Sequence, residues 1–268
     1  MTGTGSIHSR RASSCLRDAI SEGQRLAGTF VKTTHYQIVE VLAGTELDFV
    51  VLDAEHAPFG RESLDACCLA ARAGHLPALV RTASSRPEDI LQALDCGASG
   101  VLVPHVDDAE IASAVVRSAR YREANGARGF SNSPRAGGYG ELTLAKHISE
   151  SDQRTTVIVQ IETATSVENI GEIAQTPGID ALFVGRADLA VSYGVDSITH
   201  PRVQEAVEHI CQVAQACGQP LGIFLPDTAE LDVFTALGFT FFIIASDQGL
   251  LKRHVKQVAA QILATAPS

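Results

Sequence analysis

The run DFVVLDAEH (48–56) sets the reading of the chain. Four apolar residues in succession, with no polar alternation, describe a strand covered on both faces. The run then stops at Asp53, Glu55 and His56, ionisable groups that a packed core rejects unless they are partnered or solvated. VIVQI (157–161) and FFIIA (241–245) have the same apolar character. Working outward, one phrase recurs: a short apolar run, a polar turn, then an amphipathic helical pattern. Strands are expected at 27–31, 48–53, 77–81, 100–104, 157–161, 181–184, 221–225 and 241–245. Helices are expected near 35–44, 61–74, 86–95, 107–120, 164–174, 201–217, 228–236 and 247–263. Strands alternating with helices mean βαβ units and a parallel sheet, and eight such units predict an α/β fold of the (β/α)8 TIM-barrel type. The competing open, doubly wound sheet would usually carry a G-x-G-x-x-G turn after a strand. None is present, and GTGS (3–6) precedes the first strand. Segment 121–156 is too long for an ordinary loop; a short helix near 142–149 and an extra strand at 129–132 are expected there.

The chain has 268 residues, 45% hydrophobic and 19% charged, with 31 acidic against 21 basic side chains and a formal charge of −10. A phosphate-tracking protein needs a basic face, so nucleic acid is not an expected partner. No apolar run approaches the roughly 20 residues of a membrane span. The six cysteines (15, 67, 68, 96, 211 and 217) form no CxxC pair, so reduced thiols in a cytoplasmic protein are expected rather than a zinc site or disulfide framework. Residues 1–14 are polar and Ser-rich and read as a disordered tail, with 15–268 as a single barrel domain. Arg10-Arg11 lacks the apolar stretch of a twin-arginine signal.

In such a barrel the reacting groups sit at the carboxyl ends of the strands. Those ends bring Asp53 and His56, Arg81, His105, Glu162, and the run Gly185-Arg186-Ala187-Asp188 to one rim. Glu162 and Asp188 belong to consecutive βα units, and two carboxylates without a His or Cys ligand suit a hard cation, Mg²⁺ or Mn²⁺; capping a helix or pairing with an arginine is the plain alternative. Arg81 offers a planar fork for a carboxylate, or a salt bridge to a rim acid such as Asp53. His56 lies three residues beyond Asp53, close enough for that carboxylate to fix its tautomer for general-base work. Together these groups suggest proton abstraction α to the carbonyl of a 2-oxo acid, the first half of an aldol reaction, with the enolate stabilised by the cation.

At these residues the chain resembles the HpcH/HpaI aldolase family, the metal-dependent class II pyruvate aldolases typified by 4-hydroxy-2-oxoheptanedioate aldolase. The similar segments are FVVLDAEHAPF (49–59), LVR (79–81), LDCGASGVLVPHV (94–106), GARG (126–129), VQIET (159–163) and VGRADLA (184–190). The resemblance implies that His56 is the catalytic acid/base, tuned by Asp53 and Asp95, and that Arg81 stabilises the enolate. It implies that Glu162 and Asp188 hold the divalent metal (Mg²⁺ or Mn²⁺, with Co²⁺ a further option). Gln160, Gly185, Ala187 and Phe224 would line the pyruvate site beside Arg81. It further implies a homo-oligomer, commonly a hexamer built as a trimer of dimers, with the last helix exchanged between subunits. The partners would be a 2-oxo acid and an aldehyde, with pyruvate released or consumed.

Two departures concern the electrophile. The family's GPADL motif reads GRADL here, setting Arg186 beside a metal ligand, where it could bind an acidic substrate or pair with Glu162. The first strand ends in Phe30-Val31-Lys32-Thr33, where the best-matched aldolases usually carry Trp. Lys32 could in principle form a Schiff base, a route set aside in favour of the paired carboxylates. Arg128 and Arg135 could grip an acceptor carboxylate, a surface or subunit-contact role being the default. His105 could orient the site or be a plain hydrogen-bonded residue. A related condensing enzyme or lyase using another 2-oxo acid or an acyl-CoA, and a non-catalytic acid-binding barrel, are the competing readings.

Overall fold

The computed structural model describes residues 15–264; the tail expected at 1–14 lies outside them. Eight parallel strands close into a barrel in sequence order: β1 (Leu26–Val31), β2 (Phe49–Asp53), β3 (Ala78–Arg81), β4 (Gly100–Val103), β5 (Thr156–Ile161), β6 (Ala181–Val184), β7 (Leu221–Leu225) and β8 (Phe239–Ser246). Each expected strand is present within two residues of its expected ends.

Side-chain parity divides the core. Val50, Leu52, Val80, Val101, Val103, Val157, Val159 and Ile161 point outward, where the surrounding helices cover them. Phe49, Val51, Leu79, Leu102, Ile158, Phe183, Phe241 and Ile243 fill the barrel. Phe49 and Phe241 stack with centroids 4.2 Å apart. A Cβ at Gly28 would lie 2.3 Å from the Phe49 ring, so β1 needs a residue without a side chain there. Phe49→Ala would cost about 3–5 kcal/mol in such packing.

Helix α1 (Leu16–Ser21) is absent from the sequence expectations. It adds Leu16, Ala19 and Ile20 to the interior cluster with Leu26 and Phe49, plugging the amino-terminal end of the barrel. Arg17 fastens it to Asp180 at 2.7 Å. The next helices, α2 (Tyr36–Ala43), α3 (Arg61–Ala73), α4 (Pro87–Asp95) and α5 (Ala109–Ala119), match the periodicity.

Segment 121–156 contains short 3-10 turns and α6 (Leu144–Arg154). The extra strand expected at 129–132 does not form. The segment is held instead by Asp152, which accepts from the Tyr121, Arg122 and Glu123 N–H groups, and by buried His147 against Asn132. The single helix expected at 164–174 is two, α7 (Ala164–Glu168) and α8 (Ile170–Ala174). They break at Asn169, whose side chain leaves the helix pattern to donate to the Asp107 carbonyl at 2.9 Å.

Helix α9 (Arg186–Ser192), unforeseen, follows β6 at the rim, and α10 (Pro201–Cys217) and α11 (Leu231–Ala236) complete the ring. The last helix, α12 (Asp247–Ala264), buries Asp247 alone; Leu251, Val255 and Leu263 are 65%, 56% and 76% exposed. All six thiols are free, and burial pushes those of Cys67 and Cys211 up to about 11. Among the described residues no helix is long and apolar enough to cross a membrane.

Candidate active site

The parity that sends Phe49 and Val51 into the barrel also sends Asp53 inward at the top of β2. The same counting brings Lys32, Arg81, Gln160, Glu162, Gly185 and Phe224 to the interior side of their strand ends, because inward positions recur every second residue. Phe30, Lys32, His56, Arg81, Gln160, Gly185, Ala187, Asp188 and Phe224 line one pocket of about 430 Å³.

On the β1–β3 side the charges are paired. Asp53 and Arg81 are lateral neighbours in register, and Arg81 donates Nε and Nη2 to Asp53 Oδ1 and Oδ2 at 2.9 and 2.8 Å. The guanidinium lies 4.4 Å from the centroid of Phe30. Its Nη1 has no hydrogen-bond partner among the described residues. Lys32 Nζ stands 3.2 Å from Asp53 Oδ2. Burial opposes ionisation of Asp53, but Arg81, the His56 N–H and Lys32 outweigh it and hold the carboxyl below its usual range.

The Asp53–His56 contact differs from expectation. Asp53 Oδ1 accepts from the His56 backbone N–H at 3.1 Å, so it seats the residue rather than fixing the ring's tautomer. The imidazole is half exposed, and its Nε2 is 3.7 Å from Glu55 Oε2. Glu55, to which the sequence assigned no role, also lies 3.3 Å from Arg81 Nε and 3.3 Å from His105 Nε2.

On the β5–β6 side negative charge is left over. Glu162 is 2% exposed; its Oε1 accepts from the His105 N–H at 2.7 Å and its Oε2 from Gln160 Nε2. His105 Nδ1 is 3.3 Å from the same Oε1, so His105, at positive φ, bridges Glu55 and Glu162. Burial pushes the Glu162 carboxyl above its ordinary value, the His105 N–H opposes that, and the like charge of Asp188 adds to it. Asp188, exposed in the first turn of α9, has no hydrogen-bond or salt-bridge partner among the described residues. Gln160 Oε1 is buried and unpartnered. A Cβ on Gly185 would stand 2.9 Å from Glu162 Cβ and 3.1 Å from Gln160 Nε2, which explains the glycine.

These oxygens fit a hard divalent cation: Asp188 and Gln160, whose Oε1 is unsatisfied, line the pocket beside the buried Glu162 carboxylate, and the like charges of Asp188 and Glu162 oppose each other. No group of three or more His, Cys, Asp or Glu with metal-ligand geometry occurs among the described residues.

Other expected participants lie elsewhere. Asp95 ends α4, which returns to the amino-terminal end of the barrel, and pairs there with Arg128 at 2.9 Å. Arg135 binds Asp65 at 2.7 Å and the Cys96 carbonyl. Neither arginine reaches the rim of its own barrel, because the whole 121–156 segment joins the end of α5 to the start of β5. Arg186 does not pair with Glu162; it lines the pocket while donating Nη1 and Nη2 to Glu230 at 2.9 and 2.7 Å and stacking on Phe234.

Comparison with known proteins agrees with this architecture. Residues 26–253 match the HpcH/HpaI aldolase/citrate lyase family model. The 5-keto-4-deoxy-D-glucarate aldolase of Enterobacter sp. (strain 638) is 36% identical over 221 residues, 82% of this chain and 85% of that protein. An HpcH/HpaI aldolase/citrate lyase family protein from Burkholderia cenocepacia J2315 superposes with a TM-score of 0.87 at 30% identity, covering 92% of this chain and 98% of the other. The citrate synthase SbnG gives 0.84 at 29% identity, covering 93% and 98%. With eight strands in a closed barrel, a family model matched over residues 26–253 and relatives this similar, the chain belongs to the HpcH/HpaI aldolase/citrate lyase family and is a carbon–carbon lyase.

Proposed function

We propose that the protein cleaves a 4-hydroxy-2-oxo acid into pyruvate and an aldehyde, or runs the reverse addition. The observation that carries this reading is the unpartnered carboxylate of Asp188, which lines one pocket with Arg81, His56 and Gln160 and whose like charge acts on the buried Glu162. In cleavage, His56 takes the proton of the 4-hydroxyl and the C3–C4 bond breaks. Its electron pair passes to the pyruvate enolate, which is then protonated at C3. Arg81 Nη1, the free arm of an otherwise committed guanidinium, donates to the developing enolate oxygen. Gln160, Gly185 and the Ala187 backbone orient the 2-oxo carboxylate, and Phe224 closes the apolar side. Glu162 and Asp188 would hold a divalent cation (Mg²⁺ or Mn²⁺, with Co²⁺ also suited), which when bound polarises the keto group. Likeness to a citrate synthase supports a second reading, in which another 2-oxo acid or an acyl-CoA is the partner in carbon–carbon bond formation.

The exposed apolar residues of α12 support its exchange with a second subunit, and with it the homo-oligomer that the resemblance implies. The deciding measurement is deuterium exchange into the methyl group of pyruvate, followed by NMR in D₂O with Mg²⁺ or Mn²⁺ and then with chelator. Exchange that requires the metal is the expected result. No exchange with metal present would discard pyruvate as the donor, and exchange that survives chelation would discard the metal role.

A further inference from the structure

His105 holds a backbone conformation that a side chain makes costly. It follows Pro104 just beyond the end of β4, with φ at +57° in the left-handed region, where a residue with a Cβ is strained. That turn aims its N–H at Glu162 Oε1, 2.7 Å away. A glycine would supply the turn and the N–H without strain. The imidazole therefore contributes something beyond them.

Its contacts are with two acids. Nδ1 stands 3.3 Å from Glu162 Oε1, and Nε2 stands 3.3 Å from Glu55 Oε1. Glu55 is anchored in turn, with Oε2 3.3 Å from Arg81 Nε, and that oxygen is buried without a hydrogen bond. The path Arg81–Glu55–His105–Glu162 thus runs from β3 to β5 across the end of β4, which lies between them in the barrel. His105 is not among the residues that line the pocket. It reaches the site only through the acids it touches.

Glu162 is the acid that gains from this. Asp188 and Glu55 both bring like charge to it, which favours swinging its carboxylate away from Asp188. Gln160 Nε2 holds Oε2; the His105 N–H and ring hold Oε1. A cation shared by two acids needs both presented together, and groups behind a ligand set that presentation. We propose that His105 is a positioning residue for the divalent cation: its imidazole, seated between Glu55 and Glu162, fixes the Glu162 carboxylate where it can share the cation with Asp188. This rests on the cation reading above.

The test reads metal affinity rather than turnover. Mn²⁺ binding to the full-length protein is measured by calorimetry without substrate for wild type, His105→Gly and His105→Asn, beside thermal unfolding of each metal-free protein. Glycine keeps the turn and the N–H, so His105→Gly keeps a Tm near the wild-type value yet binds Mn²⁺ roughly 10- to 100-fold more weakly. Asparagine tolerates the left-handed backbone and can place its amide nitrogen near the position of Nδ1. His105→Asn therefore stays within about threefold of wild-type affinity. At saturating Mn²⁺ the pyruvate exchange of His105→Gly returns to near the wild-type rate, because the ring touches no reacting group. Wild-type affinity in folded His105→Gly, an equal loss in both variants, or exchange that stays low at saturating Mn²⁺ overturns the proposal and leaves the cation reading intact. A wild-type protein that binds no Mn²⁺ removes the cation reading and this inference with it.

Discussion

The two halves of the barrel rim contain similar residue types on opposite electrostatic terms. At β1–β3, Asp53 is enclosed by Arg81, Lys32 and a backbone N–H, so its burial is compensated within the chain. At β5–β6, Glu162 is equally buried, but its neighbours include a second carboxylate, and the nearby Gln160 oxygen is unsatisfied. A buried acid that is already paired is part of the framework; one left in excess beside another acid implies a missing positive partner.

The largest effect that would break this comparison concerns Asp188. Asp188→Asn should abolish calorimetric binding of Mn²⁺ and lower turnover on the order of 10³-fold, the several kcal/mol expected of a Lewis acid. Normal metal binding in that variant would mean that the β5–β6 side carries no demand for a cation.

Stability should then separate the halves with opposite signs. Asp53→Asn removes the bidentate acceptor of buried Arg81, leaving it only Glu55 at 3.3 Å, and should destabilise the protein by about 3 kcal/mol in urea unfolding. Glu162→Gln, measured without metal near pH 8, should instead raise stability by about 1 kcal/mol, since the charge it removes is desolvated and repelled. The pH dependence follows the same division. Because the folded state holds Asp53 below its unfolded value, its contribution is present above that value and lost as pH falls through the folded one. Glu162 is raised, so the metal-free protein loses stability as pH climbs from the ordinary glutamate range through the raised value. Glu162→Gln should flatten that part of the curve. Destabilisation by Glu162→Gln at pH 8 would place the two acids in one class.

The smallest effect belongs to Arg186. Its pair with Glu230 is bidentate, but the glutamate is about a third exposed, so Arg186→Ala should cost about 1 kcal/mol or less, part of it screened by 0.5 M salt. A large loss of activity with unchanged stability would show that Arg186, which lines the pocket, acts on substrate as well as on Glu230.

Much of the candidate site was legible because it lies at strand ends. Asp53, Arg81, Gln160 and Glu162 each follow an apolar run whose boundary is visible in the residue types, and period-two counting puts them on the inner side. Glu55 stood in the quoted motif but gave no signal of its role, since its contacts with Arg81 and His105 depend on how three separate strand ends converge. Arg186 was noticed, but its pairing with Glu230 instead of Glu162 was not visible: Glu230 is 44 positions away in a connection without periodicity. Helix α1 was missed because six residues are too few to display a helical period, and it gains its stability by plugging the barrel.

By itself the sequence determined the eight-unit parallel architecture, the identity of the rim acids and bases, and the family resemblance. These follow from local patterns: apolar runs, their spacing, and the residues that end them. Only the tertiary structure decided that Arg81 is committed to Asp53, that Asp53 holds the His56 backbone rather than its ring, and that Asp188 has no partner among the described residues. Those outcomes depend on distances between residues far apart in the chain. Barrel closure and loop path set such distances, and Coulomb and hydrogen-bond energies change steeply over the few ångströms that separate one partner from another.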